Sequence, residues 1–214
     1  MSRYHPKNTT LADFAAGMLD EGRSLVVASH LSMCGECREF VAMLEEAGGQ
    51  MLAEIEPVAM ADGAAARAVG LLTDEVAERR MGQRHPAAMP VWQPEQNTLL
   101  GYELGPWRWI APGLHHRVVK VPAGDTRVFM LKAAPGLKIP NHSHTGTELT
   151  CVLSGAFIHE GGRYAAGDID DADQDDGHRP VIDDGEECVC LVAMQGQLQL
   201  TGMLGRLMQP FIRI

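Results

Sequence analysis

Apolar residues in the first third of the chain recur at helix spacing. Leu11, Phe14, Ala15 and Met18 form one such stripe, with Thr9 or Thr10 available as N-cap. Leu25, Val26, Ser29 and His30 suggest a second helix. Phe40, Met43, Leu44, Met51, Leu52 and Ile55 make an amphipathic third, weakened at Gly48-Gly49. Residues 64–80, rich in Ala, Leu and Glu, predict a fourth. The period then changes. Pro86, Pro90, Pro94, Pro106 and Pro112 punctuate residues 81–113, and no helical stripe survives there. Beyond them short apolar runs at 117–121, 126–132, 149–153 and 188–194 alternate with turns such as Pro135-Gly136, Ser154-Gly155 and Gly161-Gly162. Short strands at this spacing argue for a β-sandwich or barrel. The expected organisation is an α+β multidomain chain. A helical domain spans 1–80, a linker 81–98 and an all-β domain 99–214.

The length of 214 residues suits one large domain or two small ones. No apolar run reaches the roughly 18 residues of a membrane span. The first ten residues lack the apolar core of a signal peptide, so a cytoplasmic location is expected. There the five cysteines should be reduced, which favours ligand or thiol roles over disulfides. Net charge is −10, of which residues 1–80 carry −6. Both halves would be repelled by phosphate backbones, so direct nucleic-acid binding is not expected. An acidic module could instead cover a basic protein surface, although acidity also serves solubility alone.

Two clusters carry the chemistry. His30, Cys34 and Cys37 stand at i, i+4 and i+7, which puts them on one face of a helix or across a tight helix–helix turn. Two thiolates and an imidazole supply three corners of a zinc tetrahedron, and His5 is the nearest candidate for the fourth. Such a staple would help a helical domain of about 80 residues, whose core is modest. The competing readings are a redox Cys-x-x-Cys pair and two inert core thiols.

In the second cluster His142 and His144 are i, i+2, so on a strand they point the same way, and Glu148 follows after a Thr-Gly-Thr turn. His178, from a neighbouring strand, would complete an imidazole–carboxylate site suited to Zn, Fe, Mn or Ni. The acidic run at 168–176 lacks the glycine and terminal glutamate of a calcium loop and reads as a solvated surface segment. Cys188 and Cys190 share one strand face, where burial is the plainer reading and oxidation the sharper one. His115, His116 and His159 read as surface or satisfied histidines.

The second cluster resembles the first motif of the cupin family, with Gly136, His142, His144, Glu148 and Gly155 at every motif position. For the second motif Gly167 and His178 stand at the family's separation, while Asp173, Asp175 and Ile182 replace its Pro, Gly and Asn. This resemblance implies a jelly-roll barrel holding one metal on His142, His144, Glu148 and His178. The first cluster is similar to the zinc-binding anti-sigma domain. An upstream histidine, His-x3-Cys-x2-Cys, some 80 helical residues and a cupin barrel together resemble the ChrR-type anti-sigma factors over nearly the whole chain. That resemblance implies structural zinc on His5, His30, Cys34 and Cys37, and sequestration of an extracytoplasmic-function (ECF-type) sigma factor. It further implies release in response to singlet oxygen or related oxidants sensed by the barrel. Such a barrel also allows a homodimer. The competing class is a metal-dependent cupin enzyme, a dioxygenase or isomerase, but no acid–base set or substrate-binding arginine accompanies the motif. A regulator without catalytic residues is therefore expected.

Overall fold

The computed structural model describes residues 2–71, 92–93, 98–99, 101–121, 124–172, 177 and 179–200. Four helices come first: α1 (Asn8–Ala15), α2 (Glu21–Met33), α3 (Gly35–Ala53) and α4 (Ala64–Leu71). The fourth expected helix is thus seen to Leu71, and its remainder, 72–80, lies outside the described residues. Fourteen strands follow among the described residues: β1 (Trp92–Gln93), β2 (Thr98–Leu99), β3 (Glu103–Leu104), β4 (Arg108–Ala111), β5 (Leu114–Lys120), β6 (Arg127–Ala133) and β7 (His142–His144). The rest are β8 (Glu148–Ser154), β9 (Ala156–His159), β10 (Gly162–Ala165), β11 (Ile169–Ala172), β12 (Val181–Ile182), β13 (Cys188–Met194) and β14 (Leu198–Leu200).

Helix boundaries have local causes. Asp20 caps α2 by accepting the Arg23 backbone N–H at 3.0 Å. α1 has no side-chain cap: Thr10, an expected capping residue, instead donates its hydroxyl to Asp171 at 2.7 Å. The helix opens at Asn8 behind Lys7, so Thr10 lies inside its first turn and not at the cap position. Gly48-Gly49 does not break α3, which runs through both. Each glycine costs about 1 kcal/mol relative to alanine, too little to end this 19-residue helix.

A seven-stranded antiparallel sheet, ordered β11-β8-β13-β6-β5-β3 with β4 beside β5, forms the body of the cupin-like part. Small sheets β10-β9-β12 and β14-β7 accompany it. Every residue of β13, the run CVCLVAM, is buried, because its sheet is covered on both faces. Val189, Leu191 and Ala193 share one core with Leu25, Val26, Val27 and Leu31 of α2. Cys188, Cys190, Val192 and Met194 join Phe129, Phe157 and Tyr164 in the barrel interior. The helices therefore form the outer layer of the sheet, and α2 is its contact layer. Gly22 permits this approach: a Cβ there would stand 2.7 Å from Val128 Cγ2 and 2.8 Å from Thr126 Cγ2.

Candidate metal centres

α2 ends at Cys34, which also opens α3, so the first cluster straddles a helix–helix turn. His30 lies on the last turn of α2 and Cys37 on the first turn of α3. His5 arrives from the extended arm ahead of α1, with Nδ1 at 3.5 Å from Cys34 Sγ and 3.2 Å from Cys37 Sγ. The ligand atoms of His5, His30, Cys34 and Cys37 all lie within 4.8 Å of one another. Zn–N bonds of about 2.05 Å and Zn–S bonds of about 2.3 Å give a tetrahedron with N–S edges of about 3.5 Å, which the separations of His5 from the two thiols match.

The donor set also fits in its chemistry. The Nδ1 of His30 pairs with the Gly167 carbonyl at 2.7 Å, leaving Nε2 for the centre. That Nε2 is buried without a hydrogen-bond partner among the described residues, as a metal-directed nitrogen would be. Burial holds the His30 imidazole below its ordinary range, so it is neutral and able to ligate. Burial, reinforced by the neighbouring Cys34, pushes the Cys37 thiol up to about 12, a cost that a bound dication would remove. The four residues could thus hold a metal such as zinc in a closed site. The turn position excludes the strand–helix setting of a Cys-x-x-Cys redox motif.

In the second cluster His142 and His144 are buried on β7 and Glu148 opens β8. The two imidazoles meet edge to face at 5.1 Å, and His144 Nδ1 lies 3.4 Å from Glu148 Oε2. His142 Nδ1 pairs with the Pro140 carbonyl at 2.8 Å, which turns Nε2 toward the interior. Thr150 donates to Glu148 Oε1 at 3.0 Å and orients that carboxylate. The fourth residue expected here, His178, lies outside the described residues. His142 and Glu148 stand at the wall of a cavity of about 120 Å³, lined also by Leu114, Phe129, Leu131 and Phe157.

Cys188 and Cys190 line that cavity with their sulfurs 3.6 Å apart, both reduced and buried. Their shared face was legible from the i, i+2 spacing. The acidic run behaves differently from the expectation of a solvated segment. Asp168 is buried, accepting N–H groups of Arg3 at 2.6 Å, Tyr4 at 3.1 Å and Ala165 at 2.8 Å. Residues 169–172 form β11, and 173–176 lie outside the described residues. His159 is a satisfied histidine, one of the two readings expected for it: it stacks on Tyr164 at 4.7 Å, with Nε2 3.1 Å from Asp170 Oδ2.

Residues 95–199 match the family model described as the ChrR cupin-like domain. The chain is 38% identical to the anti-sigma-E factor ChrR of Cereibacter sphaeroides over 217 aligned residues, covering 99% of each protein. A crystal structure of Rhodobacter sphaeroides SigE in complex with the anti-sigma ChrR covers 91% of this chain and all of that chain, at 34% identity and a TM-score of 0.73. A helical layer with a His2Cys2 cluster, laid on a cupin-like barrel, is thus the architecture of a regulatory protein and not of an enzyme. The chain belongs to the ChrR-type anti-sigma factors.

Proposed function

We propose that this protein sequesters an ECF-type sigma factor through its N-terminal helices, with zinc on His5, His30, Cys34 and Cys37 fastening the fold that binds. The observation that carries this reading is the 38% identity, over 99% of the chain, to a protein named as an anti-sigma-E factor. The helical surface supports it. Met43, Met51, Leu52, Ile55, Val58, Met60, Val69 and Leu71 are 55–87% exposed, on α3, in the segment after it and on α4. So much exposed apolar surface suits a protein partner. Glu45, Glu46, Glu54 and Glu56 intersperse it, so the matching partner surface is apolar and basic. A sigma factor held there would be kept from the polymerase core in the cytoplasm.

The barrel supplies the control. His142, His144, Glu148 and His178 hold a divalent metal, and oxidant chemistry there or at Cys188 and Cys190 weakens the hold on the sigma factor. A homodimer through the barrel belongs to the same proposal. Purification of the full-length protein from its own cells, with mass spectrometry of co-purifying chains, tests it. A sigma factor should be recovered in stoichiometric amount, and its loss on treating the cells with a singlet-oxygen generator would support the sensing step. Recovery of the zinc-loaded protein without any sigma factor would overturn the reading.

A further inference from the structure

The N-terminal arm touches two places at once. His5 reaches the thiols of α2 and α3, while the residues before it lie on the barrel. Asp168 accepts the N–H groups of Arg3 and Tyr4, and the Tyr4 carbonyl accepts the Ile169 N–H at 3.2 Å. The Tyr4 ring stacks on Tyr164 at 4.1 Å, and its hydroxyl donates to the Gly161 carbonyl at 2.8 Å. One residue before Asp168, the Gly167 carbonyl meets His30 Nδ1. Gly167 has φ of +92°, and a Cβ there would stand 2.9 Å from Ser2 Oγ and 3.4 Å from Met33 Cβ, so only glycine lets arm and helix close on this turn. Two of the four residues that could hold zinc are therefore positioned by one β10–β11 turn of the barrel.

We propose that Asp168 and the Gly167 carbonyl are positioning groups of the zinc centre, so that the centre draws outer partners from the barrel and holds its zinc more tightly while the arm lies on it. This rests on the zinc reading above. The Gly167 carbonyl fixes which His30 nitrogen faces the metal, and Asp168 sets where His5 stands. Such outer partners commonly change metal affinity 10–100-fold. The turn leads directly into β11, whose Ala172 pairs with Glu148 of β8. The support of the zinc centre thus stands on the strand beside the barrel's own carboxylate ligand.

The test uses the full-length protein in four forms: wild type, Asp168→Ala, Tyr4→Leu and Asp20→Ala. Asp20 also ties α2 to the barrel, accepting from Thr126 at 2.8 Å and Gln195 at 3.3 Å, but at the helix end remote from the cluster. Zinc transfer to a chromogenic chelator and the absorption bands of the cobalt-substituted centre are measured. Asp168→Ala should release zinc at least about tenfold faster and alter the cobalt spectrum as His5 is lost. Tyr4→Leu should do so more weakly, and Asp20→Ala should leave both readouts at wild type. Tyr4→Leu carries the test if Asp168→Ala does not fold. Wild-type release and spectrum in both arm variants would overturn the proposal, as would equal acceleration in Asp20→Ala. A wild type that takes up neither zinc nor cobalt would overturn the zinc reading and this inference together.

Discussion

Substitution of Leu25 by alanine should destabilise the helices and the barrel together. Leu25 is 2% exposed on α2, in the one apolar core that also contains Leu149 and Leu153 of β8 and Leu191 of β13. Buried Leu→Ala changes cost about 2–5 kcal/mol, from the lost transfer energy and the cavity left behind. Well-packed neighbours on both sides limit collapse of that cavity, so about 3 kcal/mol is expected. With a urea dependence of about 2 kcal/mol per molar, the midpoint should fall by about 1.5 M. Two optical probes separate the parts of the chain. Far-UV circular dichroism is dominated by the helices, whereas all three tryptophans, Trp92, Trp107 and Trp109, lie beyond residue 91 and report the β-rich part. Both probes should shift equally. A shift of the dichroism transition with fluorescence unmoved would refute the claim of a shared core.

Charge placed on the outer helical surface, as Met51→Asp with Ile55→Asp, should weaken sigma-factor binding at least about tenfold, or about 1.4 kcal/mol, in a calorimetric titration. Both positions are exposed, so folding stability should change by only about 0.5 kcal/mol each. Glu148→Gln should lower the metal bound at the barrel in elemental analysis and leave the helical centre's zinc in place, because that cluster draws no ligand from β8. Acid should destabilise the zinc-free protein. Burial holds the His30 imidazole below 6.5, so the unfolded chain takes up the proton first. The contribution is fully present above pH 6.5 and is lost as pH falls below it. Melting temperatures of His30→Gln should show a flatter dependence across that range.

Much of this arrangement is written locally in the chain. The i, i+4, i+7 spacing of His30, Cys34 and Cys37 determines a shared face whichever way the turn is made, and the structure brings His5 to it. The alternation in His142-Ser-His144 puts both imidazoles on one side of β7, where Glu148 meets them. The unbroken apolar run of β13 signals a strand covered on both faces. What covers it was not legible, because α2 is nearly all buried and its sequence does not say which side meets the other helices and which the sheet. Asp168 was misjudged for a related reason. It opens an acidic run, but its partners include backbone N–H groups of Arg3 and Tyr4, some 165 positions away. Thr10 shows the same limit, since its hydroxyl serves Asp171 and not the start of α1.

Inhibition of sigma-dependent transcription tests the central claim most directly. Purified full-length protein, zinc-loaded, is titrated into a reaction containing RNA polymerase core, the ECF-type sigma factor from the same cells and its promoter. The account predicts a stoichiometric loss of transcript, ending at one equivalent of protein per sigma factor, with the housekeeping promoter unaffected and Met51→Asp with Ile55→Asp shifted to higher concentration. Unchanged transcription at excess zinc-loaded protein would contradict it.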